Sequence, residues 1–88
     1  MKQRQRLLDR LDLIDEPTPR QPLVEIYGHQ RVIIENHLGV TEYGREQIRV
    51  RVRFGSVLIC GSALMLCRMQ GQQLVISGCI TAVMLDRG

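Results

Sequence analysis

Tryptophan is absent from the 88-residue chain, and Tyr27, Tyr43 and Phe54 are its only aromatic residues. Binders of single-stranded nucleic acid stack bases on clustered rings, so a stacking platform of that kind is excluded. Proline is confined to Pro17, Pro19 and Pro22, leaving the rest of the chain free to pair its backbone. Cysteine is limited to Cys60, Cys67 and Cys79, with no C-x-x-C knuckle and no histidine at zinc-ligand spacing. Each cysteine sits in an apolar run, where a reduced thiol behaves as a small hydrophobe, and a reducing cytoplasm fits best. No apolar run approaches the roughly 20 residues of a membrane-spanning helix, and Met1 to Leu13 mixes charge with leucine instead of offering a secretory core. The chain is therefore expected inside the cell, with no transmembrane segment of its own. Charge of one sign does not dominate either: 12 Lys+Arg against nine Asp+Glu give a formal +3, which permits acidic partners without demanding them.

What is present is ordinary globular composition, 44% hydrophobic and 24% charged, in a length that suits one domain. Residues 1–22 read differently from the remainder. Leu7, Leu11 and Ile14 recur at i, i+4 and i+7, with charged side chains between them, which predicts a short amphipathic α-helix. Acidic residues at its C-terminal end oppose the helix dipole, and the prolines that follow make a linker. The helix either docks on the body of the protein or acts as an arm toward a membrane surface or partner. Residues 23–88 form the second unit.

From Leu23 the apolar period becomes 2. About eight short strands are expected, 23–27, 31–35, 40–43, 47–54, 56–60, 63–69, 72–77 and 79–85, each bounded by turn residues such as Gly28, Asn36, Gly44, Gly55, Gly61, Gly71 and Gly78. Strands this close together leave no room for crossover helices, so the fold class is all-β, a small antiparallel meander folded as a sandwich or roll and preceded by one short N-terminal helix. A weak repeat supports this. The pattern [V/L]-x-I-x-[G/N] begins at Val24, Val32, Val57 and Leu74, each time giving two inward aliphatics and then a residue that tolerates positive φ. Its irregular spacing is not that of a solenoid.

Two faces ask for explanation. Ile48, Val50, Val52 and Phe54 alternate with Gln47, Arg49, Arg51 and Arg53, which gives a core face and an arginine ladder. The ladder is either a solvated face that discourages edge pairing or a binding site, formed by Arg49, Arg51 and Arg53, for a phosphate, an anionic lipid surface or an acidic protein patch. Nucleic acid is the least favoured of these partners. The second half is apolar on both parities: Val57, Ile59, Leu64, Leu66, Leu74 and Ile76 on one side, and Leu58, Cys60, Met65, Cys67, Met69 and Val75 on the other. A body this small fills one core more readily than two, so the second set needs a cover. The N-terminal helix could supply it. Otherwise Leu58, Met65, Cys67, Met69 and Val75 are the expected interface toward another copy or a different chain, and their Met and Cys content suits an adaptable contact.

Catalysis finds little support. His29 and His37 flank a strand near Glu35, but spacing fixes no third strong ligand, and both imidazoles read as turn and surface residues. There is no G-x-S-x-G elbow, no phosphate loop and no Cys-His pairing. The expectation is a non-enzyme with no catalytic residues, no metal and no cofactor.

The ordered set Val24-Glu25-Ile26-Tyr27-Gly28, Val32-Ile33-Ile34-Glu35-Asn36-His37, Gly39-Val40, Tyr43, Ile48 to Phe54, Gly55-Ser56-Val57-Leu58-Ile59-Cys60-Gly61, Leu64-Met65-Leu66 and Leu74-Val75-Ile76-Ser77-Gly78-Cys79-Ile80 resembles the YabP/YqfC family of sporulation proteins of endospore-forming bacteria, most closely its YqfC branch. The resemblance runs from about residue 22 to the C-terminus, with Ile34-Glu35-Asn36-His37 its most recognisable piece. It implies a small non-enzymatic protein of the mother-cell cytoplasm, needed for spore development and working beside a membrane-embedded partner. The expected function is thus a structural or adaptor module acting through protein–protein contacts, with itself as a homo-oligomer, a sporulation membrane protein, or both as partners. The alternative is a basic nucleic-acid-binding or regulatory module.

Overall fold

The computed structural model describes residues 21–87. The helix expected over residues 1–16 and most of the proline linker lie outside the described residues. Six strands follow in order: β1 (Leu23–Tyr27), β2 (Arg31–Glu35), β3 (Gly39–Tyr43), β4 (Gln47–Val52), β5 (Gly55–Gln70) and β6 (Gln73–Asp86). They form one sheet in the order β1-β2-β6-β5-β4-β3, and every neighbouring pair is antiparallel. The all-β expectation therefore holds. Alternation is the cause: in β4, Ile48, Val50 and Val52 are buried while the residues between them face outward, as a half-buried strand requires.

The long β5–β6 hairpin is the spine of the sheet. Its closed end, Met65–Gln70 against Gln73–Ser77, is extended by β2 and then β1. Its open end, Ser56–Cys60 against Ala82–Asp86, is extended by β4 and then β3 on the other side. Side chains from both ends meet in one cluster: Val32, Ile34, Leu74 and Ile76 from the closed end, Ile48, Val50, Val57 and Ile59 from the open end, all 0% exposed. Strands that are not hydrogen-bonded neighbours can share a sealed core only if the sheet bends over itself, so the two ends of the hairpin form the two walls of a single core. Each aliphatic side chain sealed in this way contributes about 1.5–3 kcal/mol.

The expected eight strands are six, and the reason lies in two glycines. Gly61 and Gly78 read as turn residues, yet both lie inside strands, beside irregularities in the β5·β6 register at Cys60/Gly61 and Ser62/Met65. A Cβ on Gly61 would collide with the carbonyl of Cys79, and one on Gly78 would come within 2.7 Å of the Ala63 carbonyl oxygen. These glycines serve close approach of two backbones at the bend, a role that sequence does not distinguish from a turn. Ala63, at φ 52°, takes up the left-handed step in the same irregular stretch.

Three of the four repeats keep both aliphatics inward, whereas Ile26 of the first is 55% exposed on the outermost strand. Val32 and Ile34, Val57 and Ile59, and Leu74 and Ile76 are all 0% exposed; Val24, opposite Ile34, packs against the same core. The residues that follow at Gly28, Asn36 and Gly78 have positive φ. Phe54, expected on the core face by parity, instead sits in the β4–β5 turn and is 37% exposed. The strand ends at Val52, so the alternation no longer applies to it.

Candidate functional site

The outer surface of the sheet holds both groups of residues that the sequence singles out, and the bend places them in different environments. At the open end, β4 turns Arg49 and Arg51 outward, beside Leu58 and Ser56 of β5 respectively. The Arg49 guanidinium is engaged on three sides: Nε lies 3.3 Å from Glu42 Oε1, one terminal nitrogen is 3.6 Å from Asp86 Oδ2, and the same nitrogen donates to Ser56 Oγ at 3.3 Å. Glu42 lies on the strand outside Arg49, whereas Ser56 and Asp86 pair with each other beyond it, so this side chain reaches across the outer face. Leu58 is flanked by Arg49 on one side and Met84 on the other and is only 9% exposed. Long side chains lying over an aliphatic floor shield it while keeping their polar ends in water. Arg51 is exposed, and Arg53 lies exposed in the turn.

At the closed end the outer face is more open. Rows across the sheet read Glu25–Ile33–Val75–Arg68 and Tyr27–Arg31–Ser77–Met65. Arg31, Ile33, Cys67, Arg68, Gln73 and Val75 line one shallow depression of about 330 Å³, and Met65 beside it is 53% exposed. Cys67 falls at the Leu66/Arg68 register shift, which turns its thiol toward Ser77, with Sγ 2.8 Å from Ser77 Oγ. Gln73 Nε2 donates to Glu35 Oε2 at 3.2 Å and closes the lower end of the depression.

Of the five interface residues named from the sequence, Met65, Cys67 and Val75 therefore converge, and two do not join them. Leu58 belongs to the other end of the face, under Arg49. Met69 pairs with the core residue Leu74, because the extra residue at the Cys67 bulge reverses the parity of everything after it. It is 51% exposed only because it lies near the tip of the hairpin. Sequence reasoning missed Ile33, whose place in the run Val32-Ile33-Ile34 was the available signal: with its two neighbours sealed in the core, the middle residue must face out. Arg31 and Arg68 carried no comparable signal.

His37 also departs from expectation. It is not a surface imidazole but 8% exposed. Its Nδ1 accepts a hydrogen bond from the Gly39 amide at 3.0 Å, which holds the connection between β2 and β3 and leaves the proton of the neutral ring on Nε2. That atom is buried with no partner among the described residues. No three His, Cys, Asp or Glu side chains among the described residues are grouped to hold a metal ion, and no helix there is long and apolar enough to cross a membrane.

Comparison with curated proteins and with solved structures finds no match. A family model does match, that of the YabP family, and it covers residues 18–88, so it takes in every strand and both ends of the outer face. By that match, the chain belongs to the YabP family.

Proposed function

We propose that this is a non-enzymatic sporulation protein of the YqfC-like branch, an adaptor whose exposed closed-end face binds another protein at or near a membrane of the mother cell. Membership of the YabP family supports the link to sporulation. The observation that carries the adaptor reading is the open depression in which Ile33 and Val75 lie among Arg31, Arg68, Gln73 and Cys67, with the half-exposed Met65 at its side. A few exposed aliphatics mixed with arginines on one open face, here Ile33, Val75 and Met65 with Arg31 and Arg68, suit a protein contact. In this reading Arg51 and Arg53 face the acidic surface of the partner or of the membrane beside it.

The test is a sporulating strain carrying Met65→Lys or Val75→Lys in place of the wild-type chain. The expected result is a loss of spore yield with the variant proteins present at normal abundance and unfolding at the wild-type temperature. Wild-type spore yield from both folded variants would refute the adaptor reading. Retention on nucleic acid that disappears in moderate salt and on replacing Arg51 and Arg53 by Glu would favour the basic-module alternative. The engagement of Arg49 by Glu42 and Asp86 argues against that alternative, since one of the three arginines already has anionic partners.

A further inference from the structure

The sheet order leaves more free edge than its two outermost strands. β2 pairs with β6 only as far as Ser77, and the turn before β2 carries the contact on to Ile80, with Gly78 N donating to Gln30 O at 3.2 Å and Ile80 N to His29 O at 2.7 Å. Beyond Ile80, β6 is paired with β5 on one side, and no described residue pairs with the other side. The same holds in mirror fashion for the closed end of β5, which lies beyond the reach of β4.

Exposed strand edges are templates for further pairing, and folded proteins blunt them with charges or bulges. Three of the four edges carry a charge within the free strand. β1 carries Glu25 at its centre. β3 carries Glu42 and a register shift between Val40 and Glu42. The closed end of β5 carries Arg68 and the shift at Leu66/Arg68. The fourth, Thr81-Ala82-Val83-Met84-Leu85, has no charge and no proline; its register shift lies at its very start, where Thr81 is the extra residue between Ile80 and Ala82, and its Met84 and Leu85 are 47% and 63% exposed.

We propose that Thr81–Leu85 of β6 pairs antiparallel with the same segment of a second copy of this chain, about a two-fold axis through Val83. The choice of a second copy rests on symmetry and charge. A two-fold axis sets a strand against itself. At the midpoint of β1 this sets Glu25 directly against Glu25, and on β3 and the closed end of β5 it places Glu42 or Arg68 on both sides of the axis, like charges that β pairs disfavour. On β6 the open stretch begins after Ile80, whose amide is already used, and ends before Asp86, which faces Ser56 and Arg49. Val83 is its midpoint. The axis there sets Val83 against Val83, Ala82 against Met84 and Thr81 against Leu85, so the whole stretch is paired and no charge is opposed. Two four-stranded open-end walls, each β3-β4-β5-β6, join into one eight-stranded sheet. A five-residue strand pair buries less than the roughly 1,200 Å² of a standard interface, so the dimer is weak and dissociates on dilution. The inference does not depend on the adaptor reading, because it uses neither the closed-end face nor a partner protein.

The experiment uses the full chain: native mass by sedimentation from about 1 µM to about 1 mM, a range that spans weak self-association, with amide hydrogen exchange recorded at both extremes. A monomer–dimer transition is expected, together with slowed exchange between Thr81 and Leu85 at the high concentration only. Met84→Lys should weaken association at least about tenfold by placing a charge on each side of the axis, while Met65→Lys on the closed-end face leaves it unchanged. The proposal is overturned by a monomer throughout the range, by a dimer whose Thr81–Leu85 amides stay unprotected, or by association lost with Met65→Lys and kept with Met84→Lys. Protection of this stretch at every concentration would also overturn it, by placing another part of the same chain on the edge. Should Met84→Lys fail to fold, the wild-type exchange pattern decides alone.

Discussion

Gly61→Ala is the sharpest test of how the long strands bend. The chain at Gly61 is held on two sides: its amide donates to the Glu46 carbonyl at 3.0 Å, and a Cβ would meet the Cys79 carbonyl oxygen well inside contact distance, with the Ile80 Cα 3.1 Å away. Both obstacles are main chain, so no rotamer change relieves them. One methyl group therefore forces β5 and β6 apart at the bend that brings the two walls together. Overpacking of this kind costs about 1–3 kcal/mol where side chains can adjust, and more than about 3 kcal/mol is expected where the backbone must move. Gly28→Ala is the matched control. Its φ is +58° with nothing within 4 Å of the added carbon, so only the left-handed conformation is penalised, by roughly 1–2 kcal/mol. In thermal unfolding a domain of this size loses about 4–8 °C per kcal/mol, so Gly61→Ala should melt at least about 12 °C below wild type and clearly below Gly28→Ala. A Gly61→Ala protein within about 0.5 kcal/mol of wild type in urea titration would refute the reasoning, since the two backbones could not then be as close as described.

Three further outcomes follow from particular side chains. Arg49→Ala should cost under about 1 kcal/mol, and less in high salt, because ion pairs this exposed are screened; the loss is read by urea titration, and a loss above about 2 kcal/mol would mean that shielding of Leu58 matters more than the charges. His37→Phe strands the Gly39 amide donor and also removes the unpartnered Nε2 proton, changes of about 1–3 kcal/mol each in opposite directions. It should therefore stay within about 1 kcal/mol of wild type, whereas His37→Ala, which leaves a cavity, should lose about 2 kcal/mol or more by the same titration. Alkylation of the native protein should modify Cys67 and Cys79, both exposed, before the half-buried Cys60; uniform protection of all three, read by mass spectrometry, would show that the outer face is covered in solution.

The strands were legible because burial of one face imposes a period of 2, and the inward positions of the repeats at Val32, Val57 and Leu74 follow from that period alone. The path of the chain was not. A glycine required by close approach of two backbones and a glycine required by a turn are the same letter, so Gly61 and Gly78 divided two long strands into four. The bulge at Cys67 had a similar effect on the candidate site. An inserted residue changes no composition, yet it reverses which face each later side chain occupies, and it separated Met69 from Met65. Arg49 illustrates a third limit. Its outward direction was readable from alternation, but its engagement depends on Glu42 and Asp86, which lie seven and 37 positions away in the chain and meet it only through the β3-β4-β5-β6 order.

In the proposed reading, Arg49 and Leu58 drop out of the candidate contacts, and the closed end of the sheet carries most of what remains. At the open end, the acids on β3 and β6 occupy Arg49, and Leu58 is sealed, so what that end offers a partner is the exposed pair Arg51 and Arg53. The closed-end depression and the Thr81–Leu85 edge remain, and on β6 the two are set apart by the segment from Ser77 to Thr81, about 13 Å of extended chain. A partner on the first and a second copy on the second can therefore bind together. A dimer that presents two faces to a partner fixed in one plane binds through both, and such coupling strengthens attachment by about 10²–10⁴-fold without any new contact. Met84→Lys should accordingly leave the affinity of a single face unchanged and reduce only the retention of the protein on a surface carrying many copies of the partner. Equal loss of both would mean that the edge and the face are one site.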